Sequence, residues 1–511
     1  MKRMKKIMAV LLAAIMTMAM AVTAFAAEGT HTLTVNVKST TPAQDLKGQT
    51  INLYKLFDVT ESGEGQNKNY AYTVNETYKK TLASVLKIAE TSKDEDFAAA
   101  VTKLGNDNST EVQNFANDFT ANALTNSLAP TATSGKITEE NTTSYTFNNL
   151  AAGYYLVYVT GAKEIQSSLV TVDATTTAVN LKTEAPSITK TADKETAEIG
   201  KVVTYTVTGA IPDTTGYAEY VYKIHDELST GLDFVNDATG AALEEGATTV
   251  NVTVAFKGTG VTDAGTTPTT ATLDTENNRK MSLDLSKWVR DNQANKGKEF
   301  TVTYYAKVNT NAEVTNNNKA SLEYGNNPGD TTTTTPSEAK TNTYPLDINK
   351  TKKGTTDKLA GAKFSLYTSA EDAKNTTNPI KVSGSNGNYV VDPASTTTEF
   401  ESVESITGKG YNLHVNGLAA GDYWLVETKA PDGFNKLTDP IKVTITKTGD
   451  AEWTVSKNET VESDKIIDIE NSTGSLLPST GGRGAIAFAV IAAILVFGVA
   501  VSFIRDKRKE A

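Results

Sequence analysis

Alternation of apolar and polar residues with a period of two recurs along this chain of 511 residues, and this feature limits its fold most. The segments 32–37, 203–208, 301–308 and 441–446 all show it. Successive side chains of a strand point to opposite faces, so each segment buries one face and exposes Thr and Lys on the other. The chain is therefore predicted to be all-β and to consist of tandem antiparallel sandwiches.

One region departs from this alternation. Residues 77–124 are rich in Ala, Lys, Glu and Asp, and Leu82, Val85, Leu86 and Ile88 follow a spacing nearer to that of a helix. We predict that these residues form a helical insertion in the first sandwich.

Linker-like composition divides the chain further. A Lys-Thr-Glu-Ala-Pro segment at 182–186 and a Thr- and Pro-containing segment at 326–345 separate the alternating regions. The predicted domains are 27–182 with the helical insertion, 183–330 in the middle, and 331–474 at the C-terminal side.

Composition excludes several classes of function. The chain has 49 Lys and Arg against 60 Asp and Glu, and its net charge of −11 argues against a nucleic-acid-binding protein. It has no cysteine, which excludes disulfides, thiolate nucleophiles and cysteine-ligated zinc. The three histidines, His31, His225 and His414, are far apart in sequence. We therefore predict no metal site and no cofactor, and we find no catalytic constellation for a surface enzyme.

The N-terminus has the features of an export signal. Four basic residues precede an apolar stretch, and Ala24-Phe25-Ala26 supplies a small-x-small cleavage pattern. We predict that residues 1–26 are a cleaved signal peptide, the alternative being an uncleaved membrane anchor.

The C-terminus combines three features in order within residues 475–511. An apolar segment over 485–504 is long enough to span a bilayer, and a basic tail follows it. On their own these two features indicate a tail anchor. Before them stands a five-residue motif composed of Leu477, Pro478, Ser479, Thr480 and Gly481.

This motif resembles the LPxTG cell-wall sorting signal of Gram-positive bacteria. The resemblance implies that a sortase cleaves between Thr480 and Gly481 and joins Thr480 to an amine of peptidoglycan or of another protein. It also implies a secreted protein that is anchored at the cell wall.

A second motif identifies a module type. The segment 421–434, with Tyr423, Leu425 and Glu427, resembles the E-box of CnaB-like pilin modules, and 359–366 resembles the second strand of such a module. With the export and sorting signals, the chain resembles the SpaA-like backbone subunit of Gram-positive sortase-assembled pili. The resemblance implies Ig-like sandwiches, CnaA-like in the middle and CnaB-like at the C-terminal side.

Strand parity places polar residues on apolar faces without reference to any family. Lys350, Glu427 and Asn471 each share a face with apolar residues of the third domain. The middle domain repeats the set with Lys190, Asp226 and Asn318. Such residues are either the members of a buried salt bridge, polar residues at the sheet rim, or reactants.

The family resemblance assigns them as reactants. It implies autocatalytic isopeptide bonds that join Lys350 to Asn471 with Glu427 as the proton-transferring acid, and Lys190 to Asn318 with Asp226. Aligning 153–159 on the E-box puts Val159 at the acid position, so no such bond is predicted in the first domain.

A pilus shaft also needs an acceptor amine on each subunit. The resemblance and strand parity favour Lys182, the alternative being a solvated linker lysine. The predicted function is thus a shaft subunit whose partners are a sortase, copies of itself, and peptidoglycan or a basal pilin, with a host surface or matrix ligand left open. The alternative is a wall-anchored adhesin, or a tip or basal pilin, that is not polymerised.

Overall fold

The computed structural model describes residues 31–37, 46–62, 69–105, 110–159, 168–173, 178–181, 185–214, 219–325, 328–329, 331–474, and the single positions 492 and 496. The chain divides into two compact units at Thr343 and Tyr344. The first unit contains two modules, which we call the first and middle modules, and the second unit contains the third module.

The described residues of the first module form eight strands in two sheets, ordered β5-β1-β8 and β3-β2-β6-β7, and β4 also pairs with β2. The strands are β1 (His31–Asn36), β2 (Thr50–Ser62), β3 (Asn69–Val74), β4 (Ala132–Lys136), β5 (Ser144–Leu150), β6 (Gly153–Val159), β7 (Ser168–Val172) and β8 (Ala178–Asn180).

Within the part of this module that the structure describes, three helices interrupt these strands, as the sequence predicted. They are α1 (Lys79–Leu86), α2 (Asp94–Lys103) and α3 (Thr110–Thr125). Phe97 and Phe119 from these helices pack with Tyr54 and Leu156 of the larger sheet, whereas Leu53 and Val157 pack into a second core with Leu33. Strands β2 and β6 are therefore buried on both faces, which explains the continuous apolar run in β6.

In the middle module, leaving aside 215–218, 326–327 and 330, twelve strands are described. They are β9 (Thr189–Ala192), β10 (Val202–Ala210), β11 (Val221–Leu228), β12 (Leu232–Val235), β13 (Thr249–Asn251), β14 (Thr253–Phe256), β15 (Thr270–Leu273), β16 (Lys280–Asp284), β17 (Glu299–Val308), β18 (Thr315–Gly325), β19 (Thr332–Thr333) and β20 (Ser337–Asn342). A short helix, α4 (Ser286–Asp291), and a 3₁₀ turn (Gln293–Asn295) precede β17.

These strands form two sheets. One is ordered β12-β17-β10-β9, with β14 also pairing with β17, and the other is ordered β13-β15-β16-β11-β18-β19, with β20 also pairing with β18. Residues 332–342, which the sequence assigned to the third domain, thus pair with the long strand β18 of the middle module.

The third module has eleven strands and one helix. They are β21 (Tyr344–Lys352), β22 (Lys363–Tyr367), β23 (Val382–Ser385), β24 (Asn388–Val391), β25 (Phe400–Glu401), β26 (Leu413–Leu418), β27 (Gly421–Lys429), β28 (Ile441–Lys447), β29 (Trp453–Lys457), β30 (Thr460–Glu462), β31 (Ile466–Asn471) and α5 (Ala370–Asn375).

Its two sheets are ordered β23-β24-β26-β21-β31 and β25-β22-β27-β28-β29-β30. The first and last strands of the module, β21 and β31, are parallel neighbours, and Lys350 is paired with Ile469. The predicted all-β fold class of tandem sandwiches with a helical insertion in the first module is confirmed.

Several predicted features lie outside the described residues. They are the signal peptide 1–26, Lys182, the motif Leu477–Gly481, and the apolar segment 485–504 except positions 492 and 496. Among the described residues, no helix combines the length and the apolar character that crossing a membrane requires.

Candidate functional site: two buried lysine, carboxyl and asparagine clusters

The structure buries all six polar residues that strand parity placed on apolar faces. In the middle module Lys190 is 5% exposed, Asp226 3% and Asn318 0%, and in the third module Lys350 is 0% exposed, Glu427 2% and Asn471 1%. A buried ionised lysine or an unpaired buried amide destabilises a fold by several kcal/mol. The burial therefore calls for a chemical or electrostatic reason.

The cluster of the third module is defined by contacts to Glu427. Its Oε1 lies 3.4 Å from Lys350 Nζ, and its Oε2 accepts a hydrogen bond of 2.9 Å from Asn471 Nδ2. The backbone N–H of Leu437 also donates to Oε2, at 2.7 Å. One carboxyl group thus contacts the amine on one side and the amide on the other.

Two strands of one sheet hold the amine and the amide of this cluster. Lys350 is on β21 and Asn471 is on its parallel neighbour β31, whereas Glu427 is on β27 of the facing sheet. Lys350 Nζ donates to the backbone oxygen of Ile469 at 3.5 Å, two residues before Asn471. The carboxyl therefore approaches the two partners from across the core.

The cluster of the middle module has a different arrangement. Lys190 is on β9 of one sheet, and both Asp226 on β11 and Asn318 on β18 belong to the other. Lys190 Nζ donates to Asp226 Oδ2 as one half of an ion pair whose two side chains are fully buried. A bond from Lys190 to Asn318 would consequently join the two sheets.

A tyrosine completes this second cluster. The hydroxyl of Tyr304, on β17, donates to Asp226 and accepts from Lys190 Nζ, and Asn318 Nδ2 donates to it at 3.4 Å. This residue was not predicted from the sequence. Strand parity puts Tyr304 on the same inward face as Val302 and Ala306. A buried tyrosine hydroxyl usually has a hydrogen-bond partner, and this was the feature of the sequence that could have pointed to Tyr304.

Burial controls the ionisation of both lysines. In the third module, burial lowers the pKa of Lys350 to about 8, although Glu427 opposes the change. Burial also lowers the pKa of Lys190 and raises that of Asp226, and the attraction between the two opposes both shifts. The shifts of the two lysines favour the neutral amine, which is the nucleophilic form, and in the middle module the shift of Asp226 favours a protonated carboxyl.

The amide oxygens of both asparagines are available for activation. Within the described residues, Asn318 Oδ1 and Asn471 Oδ1 accept no hydrogen bond, and neither do Asp226 Oδ1 and Glu427 Oε1. A buried carbonyl without a donor is unfavourable, and a protonated carboxyl would supply that donor. The arrangement can thus polarise an amide carbonyl next to a neutral amine.

A second buried asparagine of the third module, Asn412, was also not predicted from the sequence. Asn412 is fully buried, and its Oδ1 accepts from the backbone N–H of Lys350 at 2.7 Å. Its Nδ2 donates to the backbone oxygens of Lys350, Leu359 and Val403 at 3.2, 3.1 and 2.7 Å. Asn412 therefore fixes the backbone at Lys350.

The described part of the chain contains no group of three or more His, Asp or Glu side chains that could hold a metal ion. In the described part of the first module, the buried polar side chains are Gln49, Thr81 and Thr120, and Val159 is buried at the position that corresponds to the acid.

Comparisons with known proteins agree with the module type. Residues 345–460 match the family model described as "SpaA: Prealbumin-like fold domain". A curated protein, the fimbrial subunit type 1 of Actinomyces viscosus, is 28% identical over 349 residues, which are 62% of this chain. The chain spans 63% of the length of that relative.

Solved structures of pilins are also similar. The T6 backbone pilin of serotype M6 Streptococcus pyogenes is 17% identical, with a TM-score of 0.42, over 87% of this chain and 99% of the pilin. The Corynebacterium diphtheriae major pilin SpaA is 18% identical, with a TM-score of 0.43, over 87% of this chain and 100% of the pilin. The family match and the curated relative confirm the resemblance predicted from the sequence: the third module matches the SpaA prealbumin-like fold domain, in a chain similar to a fimbrial subunit.

Proposed function

We propose that this protein is the structural shaft subunit of a covalently polymerised surface pilus. The observation that carries the proposal is the presence of a buried lysine, carboxyl and asparagine cluster in each of two tandem sandwiches. The similarity to a fimbrial subunit supports the same conclusion. In this role the protein is a sortase substrate, and the only reaction that it performs is on itself.

Each cluster forms an intramolecular isopeptide bond. The neutral amine of Lys350 attacks the side-chain carbonyl carbon of Asn471, Glu427 transfers the proton, and ammonia leaves. Lys190, Asn318 and Asp226 react in the same way. The fold holds the reactants in contact, and such proximity is worth effective molarities of about 10⁵–10⁸ M.

The ends of the chain supply the intermolecular bond. A sortase cleaves after Thr480 and joins it to an amine of the next subunit, for which Lys182 is favoured. The last subunit is joined to peptidoglycan or to a basal pilin, so that the pilus is exported and anchored at a Gram-positive cell wall. No cofactor takes part in this assembly.

Polymerisation is tested in the producing cell. Wall extracts boiled in SDS should give a ladder of covalent multimers, and Lys182→Ala should reduce the ladder to a monomer that remains wall-attached. Lys319→Ala, at an exposed strand position, is the matched control and should leave the ladder unchanged. A single band from the unaltered protein would instead indicate an adhesin, or a tip or basal pilin. A ladder that persists in Lys182→Ala would show that another lysine is the acceptor.

The internal bonds are tested by mass. The intact mass of the mature protein should be lower than that of its sequence by two ammonias, and a tryptic digest should yield two branched peptides, one for each cluster. A mass equal to that of the plain sequence would remove the cross-links from the proposal and leave only surface display.

A further inference from the structure

The cluster of the middle module contains a phenol hydroxyl, which the cluster of the third module lacks. In the third module Glu427 contacts both reacting nitrogens directly, and the ring over Lys350 Nζ is that of Phe364, which carries no hydroxyl. In the middle module the acid is the shorter Asp226, and a phenol hydroxyl lies among the three residues. The difference suggests that the two modules move the proton by different routes.

Tyr304 contacts every member of the middle cluster. Its Oη accepts hydrogen bonds from the amine of Lys190 and from the amide of Asn318, and it donates to Asp226 Oδ2. The nitrogen that must lose a proton and the nitrogen that must gain one thus share the same oxygen. The side chain is fully buried, so water does not compete for these contacts.

We propose that Tyr304 is a catalytic proton relay for the closure of the Lys190–Asn318 bond, an inference that rests on the proposed isopeptide chemistry. As the bond from Nζ to the side-chain carbon of Asn318 forms, the protonated Asp226 gives its proton from Oδ1 to the amide oxygen, while Oη takes a proton from Nζ and gives its own to Asp226 Oδ2. As the bond from that carbon to Nδ2 breaks, the phenol gives a proton to Nδ2 and regains one from Asp226 Oδ2, and the amide oxygen returns its proton to Asp226 Oδ1. Ammonia leaves, and Tyr304 and Asp226 end in their starting states.

The ionisation of the phenol agrees with a relay in which it stays neutral. Burial, with the charge of Asp226 as a further cause, holds the pKa of Tyr304 well above its ordinary value. The phenolate is therefore disfavoured, and the hydroxyl acts by accepting one proton while it gives another.

The structure also provides a matched control. The ring of Tyr205 is stacked on that of Tyr304 with centroids 5.9 Å apart and lies 5.0 Å from Lys190 Nζ. Among the described residues, no hydrogen bond joins the Tyr205 hydroxyl to Lys190, Asp226 or Asn318. Tyr304→Phe and Tyr205→Phe therefore each remove one phenol hydroxyl from the same core, but only the first removes the relay.

The test follows bond closure in whole chains made by cell-free synthesis and quenched in acid at timed intervals. Branched and linear tryptic peptides are quantified for each cluster. Tyr304→Phe should slow closure in the middle module by roughly 10²–10⁴-fold, the usual contribution of general acid–base catalysis. Tyr205→Phe should close at the unaltered rate, and the Lys350–Asn471 bond should form normally in both variants.

The outcomes separate this inference from the function on which it depends. Closure of Tyr304→Phe at the unaltered rate would overturn the relay and leave the cross-link in place. No branched Lys190–Asn318 peptide in the unaltered chain would overturn both.

Protease resistance equal to that of Asn318→Ala would show that Tyr304→Phe folds. If it does not fold, difluorotyrosine at position 304 keeps the shape of the side chain and makes the phenol more acidic. A changed rate of closure in this chain would then support the relay, and an unchanged rate would overturn it.

Discussion

At the scale of single residues, the two buried lysines dominate the energetics of their modules. Without an isopeptide bond, each module must hold an amine away from water, and a charged amine there destabilises the folded state. For Lys350 the pKa falls from 10.5 to about 8 on folding, chiefly through burial. The unfolded chain consequently binds more protons than the folded chain between these two values, and stability rises with pH across that interval.

This linkage predicts the behaviour of a variant that cannot close the bond. The free energy of unfolding of Asn471→Ala should be lowest below pH 8 and should increase as the pH rises from about 8 towards 10.5. Urea titrations followed by the fluorescence of Trp424 and Trp453, both in the third module, measure it.

The control for this prediction removes the amine. Lys350→Met combined with Asn471→Ala should lose the rise between pH 8 and 10.5, because no buried amine remains to titrate. If both chains gain stability equally over this interval, the pH dependence arises from other groups and the assigned pKa of Lys350 is wrong.

Strand parity predicted the burial of the six cluster members, because a side chain in a strand can point to only one of two faces. Lys350 follows Leu346 and Ile348 inward, and Asn471 follows Ile467 and Ile469. Parity does not tell which strand lies opposite, so the contacts of Tyr304 were not predictable. Parity also fails for Asn412, which immediately precedes β26. This residue has the same parity as the half-buried His414, but its side chain is buried in the core.

At the scale of strands, the pairing of β21 with β31 determines where the third cluster forms. The two strands are parallel and in a register that pairs Lys350 with Ile469. In the middle module the lysine and the asparagine are on facing sheets instead. The sequence predicted strands and their buried faces, but a periodicity carries no information on sheet order, and this difference between the modules was therefore not predicted.

Asn412 fixes strand β21 at the position of the reactive lysine. Its amide makes four hydrogen bonds to the backbone, two of them to Lys350 itself. We predict that Asn412→Ala destabilises the third module by about 2–4 kcal/mol, since buried backbone groups lose their partners. The Lys350–Asn471 bond should also close slowly or incompletely, as branched tryptic peptides will measure.

A neighbouring asparagine provides the control. Asn349 precedes Lys350 on the same strand, and its side chain bonds to the exposed Asp468 at 2.8 Å. Asn349→Ala should change stability by less than about 0.5 kcal/mol and leave closure complete. Equal effects of the two substitutions would show that the amide of Asn412 has no special part in placing Lys350.

At the scale of the whole molecule, only the third cluster reaches from the entry to the exit of its module. Lys350 and Asn471 are on its first and last strands, β21 and β31, whereas Lys190 is on the first strand of the middle module and Asn318 is on β18, which β19 and β20 follow. The proposed isopeptide bonds would close segments of 128 positions (318 − 190) and 121 positions (471 − 350). With these bonds in place, tension along each closed segment would pass through a covalent link, which a disulfide cannot supply in a chain without cysteine.

Because the closed segments are long, the loss of either bond should markedly lower the thermal stability of its own module. By the loop-entropy model each bond stabilises its module by about 4–5 kcal/mol. Its loss should lower the Tm of that module by roughly 10–20 °C. Glu427→Gln should lower the Tm of the third module alone, and Asp226→Asn that of the middle module alone, because each removes the proton carrier and keeps the shape of the side chain. Differential scanning calorimetry measures both transitions.

Asn471→Ala and Asn318→Ala remove the same bonds by a second route. If the acid variants and the asparagine variants show similar decreases in Tm and migrate at a larger apparent mass on SDS gels, the lost covalent bond is the cause. An acid variant that keeps its branched peptide and nevertheless loses the same Tm would assign the stability to the hydrogen bonds of the buried carboxyl. The covalent bond would then contribute little to the thermal stability of its module.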